Sequence, residues 1–578
     1  MKVLLLHPQD AMAQSPAGRR WDLVVDTGRA PVASYKRWSQ LAGCPVISIY
    51  DHAEEIADLY WLRQLLRLGS GRITDQWGID WWEVLSLEIA SDLQQLVLVH
   101  RLSKELDAGC ELYSSRPQLL ATALQRLLNV RLTILESGLR SVIRRAGHTH
   151  KLFSHLDAAQ FLQVIEDKFD GEHSIRRRFT RRGHRSGQPI TLLPSAYSNV
   201  SRTAVSYAEL LPDHQFLLVH SRSNAKLTSL PTNVHPASLT PYFVRSEKQE
   251  TASLIESWNP LRKQLIGGAE EFNTADAVGL LERIPTLLRW GIALRNAWNQ
   301  VFESENVTAC LCADDCNPPS SIPLLLARKR GLPALACHHG ALNYMMAIKV
   351  NHADFYLVKT EMEQDYLKRV CRVDLEKSVI AAPKHAAPLA GQRGAGSSAP
   401  WLVFFTEPYQ SCGWRSEEVY RDLLPQLNWL ARACGLKLVF KLHPFESIKG
   451  HGKMLRRLIP ERDSGIEVLS GPPSDELWSN TRLALTAQSS VALACTALGI
   501  PVFLCAWLRD GYSGYVQQYA RFGVGKVLES SEQIASIPRC LTSRNGTLQR
   551  QVTRRSVDPA DFARLLSGTY SVPVASSA

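Results

Sequence analysis

Long hydrophobic runs are missing from this sequence of 578 residues. A membrane-spanning helix needs about 20 consecutive apolar residues, whereas the longest apolar stretches, such as LQQLVLV, suit a single core element. The opening MKVLLLHPQD has too short an apolar stretch for a secretory signal and reads as a buried strand. We therefore expect a cytoplasmic protein that does not span a bilayer.

Cysteines at regular, close spacing are also scarce. The 12 cysteines are scattered along the chain, which is typical of a protein from a reducing compartment. Cys310, Cys312 and Cys316 are the one tight group, but the first two alternate along a predicted buried strand and no second cysteine pair has zinc-ligand spacing. We expect them to be small buried hydrophobic residues, and we predict neither a metal nor another cofactor.

Acidic residues are fewer than basic residues. The chain has 66 Lys and Arg against 55 Asp and Glu, a net charge of +11, which favours contact with an anionic partner. The densest basic cluster runs from Arg176 to Arg185 and is interpreted either as a solvated segment or as a peripheral contact with anionic lipid at the inner face of the membrane. No nucleic-acid-binding motif accompanies the cluster, so we do not expect a nucleic acid partner.

Strands and helices alternate along the C-terminal half, which indicates an α/β fold with parallel sheets. A linker rich in Ala, Gly, Ser and Pro at 386–400 separates two predicted Rossmann-like domains, 1–385 and 401–545. Residues 546–578 are expected to form a terminal helix and tail. Apolar residues at three- and four-residue spacing predict a helical insertion at about 53–170 in the N-terminal domain.

Two polar clusters follow predicted strands of the first domain. Asp314 and Asp315 come after VTACLC, and His338 and His339 come after LPALAC. Because parallel sheets bind ligands at the carboxyl ends of their strands, these side chains are candidates for catalysis. Asp314, Asp315 and His339 suit general-base or nucleophile roles at an anomeric carbon, although one aspartate is equally suited to capping the following Asn-Pro-Pro turn.

The second domain carries candidate nucleotide-binding residues. In KLHPFES, Lys441 and His443 are placed to meet a phosphate, and Glu446 is placed to accept from sugar or ribose hydroxyls. Ser489 and Ser490 stand where a strand leads into a helix, a position at which hydroxyls and free backbone N–H groups hold phosphate or simply cap the helix.

The motifs CADDCNP, HHGAL, KLHPFES and SSVALACTALGIPVF together resemble those of bacterial surface-polysaccharide glycosyltransferases with the two-domain GT-B fold. The likeness is greatest to capsule and lipopolysaccharide enzymes that use CMP-sialic acid or CMP-Kdo, and it covers about residues 307–527. It implies Asp314 or Asp315 as the catalytic carboxylate, and His443 with the serine pair as ligands of the donor nucleotide. The sequence departs from the sialyltransferase pattern at Cys316, where that pattern has Gly.

The predicted function is therefore metal-independent transfer of a sugar from a nucleotide-activated donor to a surface-polysaccharide or lipid-linked glycan acceptor. Three alternatives remain open at this point. They are a non-hydrolysing nucleotide-sugar epimerase, a teichoic-acid-type glycerophosphate transferase, and a non-catalytic scaffold that binds glycan or nucleotide.

Overall fold

A computed structural model gives the fold. It describes residues 1–10, 20–135, 187–222, 227, 229–244, 248–340, 342, 344–383, 400–410, 412–458, 465–508, 515–542 and 556–571. The described strands form parallel sheets of five, seven and six strands, and the chain divides into two compact units. The first unit comprises Met1–Asp58, Gln95–Ser141 and Ala386–Thr553, and the second comprises Leu59–Gln94, Val142–His385 and Arg554–Ala578.

The five-stranded sheet belongs to the first unit and has the order β3-β2-β1-β4-β5. Its strands are β1 (Lys2–Leu6), β2 (Leu23–Asp26), β3 (Val46–Ser48), β4 (Glu111–Ser114) and β5 (Leu132–Ile134). The helices between and after these strands are Val32–Ala42, Ile49–His52, Glu55–Arg67, Trp81–Leu85, Ser86–Glu88, Ala90–Glu105 and Leu119–Leu128. The segment Leu59–Gln94 among them belongs to the second unit. The central strand β1 is apolar and buried from its second residue onward, as expected for a strand with neighbours on both sides.

The six-stranded sheet, also in the first unit, has the order β15-β14-β13-β16-β17-β18. Its strands are β13 (Trp401–Phe405), β14 (Lys437–Lys441), β15 (Glu467–Leu469), β16 (Thr481–Thr486), β17 (Val502–Cys505) and β18 (Lys526–Leu528). Its helices are Ser416–Ala433, Ile448–Leu458, Asp475–Asn480, Val491–Ala497, Ala506–Leu508, Tyr515–Arg521, Ser531–Ser536 and Ile537–Thr542.

The longest of these helices, Ser416–Ala433, shows why this sheet forms its own core. Val419, Leu423, Leu427 and Leu430 recur at three- and four-residue spacing and are all buried in one cluster with the sheet. The chain then turns at Gly435, whose φ of +63° lies in the left-handed region where a residue with a side chain is strained.

A buried ion pair joins the parts of the first unit that are distant in sequence. Arg415 donates to both carboxylate oxygens of Asp26, at 2.7 and 2.9 Å, and to the carbonyl of His7 at 2.9 Å. Both side chains are at most 6% exposed. Removing one partner would leave a buried charge uncompensated, so the pair holds the loop before Ser416–Ala433 against the ends of β1 and β2.

The seven-stranded sheet belongs to the second unit and has the order β12-β11-β10-β9-β6-β7-β8. Its strands are β6 (Ile190–Ser195), β7 (Gln215–His220), β8 (Val234–Ser238), β9 (Val307–Cys312), β10 (Ala334–Cys337), β11 (Phe355–Val358) and β12 (Ser378–Ile380). The helices are Ser198–Ala208, Thr240–Tyr242, Lys248–Gly268, Glu270–Ala277, Leu281–Arg283, Ile284–Ser304, Pro318–Lys329, Tyr344–Ile348, Glu361–Arg369, Leu375–Lys377 and Pro559–Ser567.

The core of this unit lies against the sheet and is completed by the end of the chain. Phe562, Leu565 and Leu566 of the helix Pro559–Ser567 are buried in one cluster with residues of the seven-stranded sheet, including Leu193 and Leu311. The terminal helix predicted within 546–578 is therefore present, and it belongs to the second unit.

The α/β class and the parallel Rossmann-like sheets are confirmed, and the domain plan differs from the prediction. Residues 1–385 were predicted to form one domain, but the strands before residue 135 and those after 190 form separate sheets. A strand pattern identifies a strand without identifying its neighbour, because pairing depends on residues far away in sequence. Helices do dominate 53–128, while β4 and β5 interrupt the predicted insertion, and 136–186 lie outside the described residues.

Most of the linker at 386–400 and the whole basic cluster Arg176–Arg185 also lie outside the described residues. Among the residues that are described, we find no helix with the length and apolar content required to cross a bilayer.

Candidate functional site

The carboxyl edge of the seven-stranded sheet gathers the polar residues of the second unit. Neighbouring strands β10, β9, β6 and β7 end side by side, and each is followed by a short polar segment. Ligands of open α/β sheets bind at this edge. The side chains that follow these strands and β11 are Tyr197, Arg222, Asp314, His338, His339 and Lys359.

Asp314 forms the turn that leaves β9. One carboxylate oxygen accepts from the backbone N–H of Cys316 at 3.0 Å, and the other accepts from the side-chain amide of Asn317 at 2.9 Å. The second oxygen also lies 4.0 Å from Nδ1 of His339. Asp314 therefore caps the turn, as expected for one of the two aspartates, and places a carboxylate beside an imidazole.

His338 and His339 stack on each other, with ring centroids 4.9 Å apart. Burial, together with the neighbouring imidazole of His339, lowers the pKa of His338 to about 3. Burial also lowers the pKa of His339, against the opposing effect of the Asp314 carboxylate. Both rings are therefore neutral at pH 7, and Nδ1 of His339 is buried without a hydrogen-bond partner in the described structure.

Lys359 follows β11 and lies close to the histidines. Its ammonium group donates to the carbonyl of Gly340 at 3.1 Å and to the carboxylate of Glu363 at 3.3 Å. The positive charge lowers the pKa of both His338 and His339 and so favours their neutral forms.

Asp315 does not share the position of Asp314. Its carboxylate accepts from the ammonium group of Lys349 at 2.7 Å and from the hydroxyl of Tyr356 at 3.1 Å. The two charged side chains are 3% and 2% exposed. A carboxylate held in a buried ion pair beneath the edge is poorly placed to reach a substrate.

The thiol of Cys316 lies near two other potential metal ligands. One donor atom each from Asp314, Cys316 and His338 fall within 4.8 Å of one another. Burial raises the pKa of the Cys316 thiol well above its usual value, and the thiol donates to the sulfur of Met346 at 3.2 Å. Cys310 and Cys312 are fully buried strand residues, as predicted.

The edge of the six-stranded sheet, in the first unit, carries the predicted nucleotide-binding residues. Lys441, the last residue of β14, is buried, and its ammonium group donates to the carbonyls of Leu442 and Gly471. Its charge therefore ties together the loops that leave β14 and β15.

His443 and Glu446 form a tight turn after β14. The backbone N–H of His443 donates to the hydroxyl oxygen of Thr406 at 3.0 Å and to the carboxylate of Glu446 at 3.1 Å, and the Thr406 hydroxyl donates to the same carboxylate oxygen. Burial raises the pKa of Glu446 to about 7. Phe445, between them, is 56% exposed, and its ring lies 5.0 Å from that of His443.

A second imidazole lies behind this turn. Nε2 of His451 lies 3.8 Å from the other carboxylate oxygen of Glu446 and forms a short hydrogen bond with the hydroxyl of Tyr420. Burial lowers the pKa of His451 to about 4, so the ring is neutral at pH 7 and offers Glu446 no counter-charge.

Ser489 and Ser490 are half-buried in the loop between β16 and the short helix Val491–Ala497. The Ser489 hydroxyl accepts weakly from the N–H of Val491 at 3.4 Å, while Ser490 makes no capping hydrogen bond. The hydroxyl of Tyr519 donates to the carbonyl of Ser489 at 3.0 Å and so fixes the loop. The strand order places this loop and the His443 turn on either side of the end of β13.

The structure thus brings Asp314 and His339 together at one edge and His443, Glu446 and the serine pair along another, and it places Asp315 and Lys441 in supporting contacts. Sequence reasoning missed Lys359, Tyr197 and Arg222. The sequence contained a signal for these three residues, because each of them follows a strand of the same sheet by one or two positions.

No family model and no curated protein matches the sequence. Solved structures that resemble the chain include the UDP-GlcNAc 2-epimerase of Neisseria meningitidis bound to UDP-GlcNAc, with 10% identity, 65% of this chain and 96% of that chain covered, and a TM-score of 0.38. The calicheamicin glycosyltransferase CalG4 has 13% identity, coverage of 68% and 95%, and a TM-score of 0.37. The wall teichoic acid polymerase TagF has 11% identity, coverage of 75% and 94%, and a TM-score of 0.37. At this level of identity the likeness concerns the fold alone.

Proposed function

We propose that the chain is a glycosyltransferase of the GT-B type that uses a nucleotide-activated sugar, and that it acts in surface-polysaccharide assembly with a CMP-linked donor such as CMP-Kdo. The observation that carries the proposal is the neutral imidazole of His339, 4.0 Å from the Asp314 carboxylate at the carboxyl edge of a parallel sheet. The motifs that resemble the CMP-sugar enzymes supply the choice of donor.

In the proposed reaction, His339 acts as the general base. The imidazole takes the proton of an acceptor hydroxyl while the hydroxyl oxygen attacks the anomeric carbon of the donor. The bond from that carbon to the phosphate oxygen breaks, and the nucleotide leaves with the electron pair. The imidazolium that forms is stabilised by the carboxylate of Asp314, which lies within ion-pair distance.

Asp314 suits this supporting role better than that of a nucleophile. Its two carboxylate oxygens already accept hydrogen bonds from Cys316 and Asn317, which hold the group in its turn. A single displacement assisted by a base inverts the configuration at the anomeric carbon. We therefore propose an inverting reaction, with Asp315 and Lys349 as a buried structural pair beneath it.

We assign the donor nucleotide to the edge of the six-stranded sheet. His443 and the exposed ring of Phe445 are accessible there, and Ser489 and Ser490 lie along the same edge. Glu446, with its raised pKa, is able to offer a hydroxyl as well as an acceptor oxygen near pH 7. Phosphate charge is then met by His443 and hydrogen-bond donors without a metal.

The proposal is tested by measuring the melting temperature of the full chain with CMP, CDP, UDP and GDP in the absence of metal. A ligand held at a hundred times its dissociation constant stabilises the folded state by about 2.7 kcal/mol. We expect CMP to give the largest shift and His443→Ala to remove it. His52→Ala is the matched control, because His52 also belongs to the first unit but follows β3 of the five-stranded sheet, where it pairs with Glu105.

A shift with CDP alone would redirect the proposal to glycerophosphate transfer, and a shift with UDP alone would redirect it to an epimerase. If none of the four nucleotides raises the melting temperature, nucleotide-sugar transfer is refuted and the scaffold alternative gains support.

A further inference from the structure

Two arginines at the edge of the seven-stranded sheet have no acidic partner at ion-pair distance in the part of the chain that the structure describes. Arg222 follows β7, and Arg202 lies in the helix Ser198–Ala208 that follows β6. Among the described residues, no carboxylate oxygen lies within 4.0 Å of either guanidinium group. Both side chains are half-buried, so their charges are only partly hydrated. A cation in that position is costly unless an anion compensates it.

The position of Arg222 is set by an aromatic residue. One guanidinium nitrogen donates to the hydroxyl of Tyr197 at 2.6 Å, and the guanidinium carbon lies 4.8 Å from the centre of the same ring. The Nε atom of Arg222 is buried and donates to no described residue. Tyr197 thus fixes the guanidinium group of Arg222, while the Nε–H of that group stays unused. A guanidinium group with free donors is suited to bind an oxyanion through two hydrogen bonds.

Glu88 is an acidic group whose pKa Arg222 lowers, although burial has the larger effect and raises that pKa overall. Its carboxylate makes no ion pair with Arg222 within 4.0 Å. Burial lowers the pKa of Arg202, as expected for a cation that is partly removed from water.

Both arginines lie near the proposed base. The strand order β10-β9-β6-β7 puts the residues that follow β7 three strand spacings from those that follow β10, or about 14 Å. Arg202 is close enough to lower the pKa of His339, and the carboxylate of Asp314 raises that of Tyr197. A substrate whose hydroxyl reaches His339 would therefore extend along a positively charged edge.

We propose that Arg222 and Arg202, with Tyr197 as a positioning residue, bind an oxyanion of the acceptor, so that the acceptor is an acidic glycan bearing a carboxylate or a phosphate. The assignment of this oxyanion to the acceptor rests on the proposed function, which places the donor nucleotide at the six-stranded sheet. The two arginines of the seven-stranded sheet are then available to bind the second substrate.

The test is calorimetric titration of the full chain, at low ionic strength and without nucleotide, with glucuronate, glucose 6-phosphate and glucose. We expect binding of at least one acidic sugar, with glucose about tenfold weaker or worse. Arg222→Gln combined with Arg202→Gln should weaken the acidic sugar about tenfold and leave glucose unchanged. Arg289→Gln is the matched control, since Arg289 is exposed in the same unit.

Arg222→Lys keeps the charge and loses the planar guanidinium group, so the variant should fold and should bind the acidic sugar several-fold more weakly than wild type.

The two acidic sugars distinguish a carboxylate from a phosphate. Equal affinity of wild type and double variant, or of glucose and both acids, would overturn the proposal. CMP is titrated in parallel. If the arginine changes weaken the binding of CMP and leave the binding of the acidic sugars unchanged, the oxyanion belongs to the donor and the proposal is also overturned. Because the sugar titrations contain no nucleotide, they remain decisive even if the proposed transfer reaction is refuted.

Discussion

The edges of the seven-stranded and six-stranded sheets differ in how their polar groups are used. At the six-stranded edge, Lys441 donates to backbone carbonyls and Glu446 accepts from its own turn, so much of the polarity of KLHPFES stabilises the loop that carries it. At the seven-stranded edge, Nδ1 of His339 and Nε of Arg222 are buried without a hydrogen-bond partner among the described residues. The Thr486 hydroxyl, at the end of β16, is a comparable group at the six-stranded edge. An unsatisfied imidazole or guanidinium group is better suited than a hydroxyl to transfer a proton or bind an anion. We therefore propose that catalysis takes place at the seven-stranded edge.

The largest effect on stability should come from Asp315. Replacing it with Asn leaves the Lys349 ammonium group buried without a counter-charge, which we expect to lower the free energy of unfolding by about 3–5 kcal/mol. Urea denaturation measures the change. Asp354→Asn is the control, because Asp354 forms a half-exposed pair with Arg328 and should cost less than about 1 kcal/mol. Equal effects for the two variants would show that the Asp315 pair is not structural.

Asp314→Asn should show that the two neighbouring aspartates have different roles, because it should affect the reaction rather than the stability. The Asn oxygen still accepts from the N–H of Cys316, and its amide is able to donate to Oδ1 of Asn317, which has no partner among the described residues, once that side chain turns round. The free energy of unfolding should therefore change by less than about 1 kcal/mol. The transfer rate should fall about a hundredfold because the imidazolium loses its counter-charge. A rate that stays at the wild-type level would remove Asp314 from the proposed machinery.

Glu446→Gln should give a smaller effect that depends on pH. The pKa of Glu446 is raised to about 7 by burial, so the folded state favours the protonated carboxyl group. The resulting stabilisation is present below the unfolded pKa of about 4.5 and is lost as the pH rises through 7. Relative to wild type, the melting temperature of the Gln variant should therefore rise between pH 5 and pH 8. A constant difference across that range would show that Glu446 ionises normally.

Metal removal should have the smallest effect. The proposed reaction uses only the imidazole of His339 and hydrogen-bond donors, so treatment with EDTA is expected to leave the transfer rate unchanged. A loss of activity that zinc restores would instead make Asp314, Cys316 and His338 a metal centre.

Local patterns predicted the elements well, because each pattern reflects contacts within one element. The strand Val307–Cys312 lies where the pattern VTACLC predicts a buried strand. The helix Pro318–Lys329 begins with a proline and is followed by Gly331 at a φ of +70°, both of which are local signals of helix ends. The position of Asp314 at a strand end followed from the same reasoning.

Non-local contacts account for what the sequence did not reveal. The separation of the five-stranded sheet depends on strand pairing, and the link of Asp26 to Arg415 spans 389 positions. Asp314 and Asp315 are adjacent in sequence, yet only the position of Lys349 shows that the second is buried in an ion pair. Likewise, Arg222 becomes notable only when the folded unit shows that no carboxylate oxygen of the described residues lies within 4.0 Å of its guanidinium group.

The most direct test is to measure nucleotide release by mass spectrometry when the full chain is given a mixture of CMP-, CDP-, UDP- and GDP-sugars together with glucuronate and glucose 6-phosphate as acceptors. We expect wild type to release CMP, and His339→Asn to reduce release about a thousandfold while CMP still raises the melting temperature. His352→Asn is the control, because His352 pairs with Glu83 and is 31% exposed, and it should retain full activity. Release by His339→Asn at the rate of that control would contradict the assignment of His339 as the base.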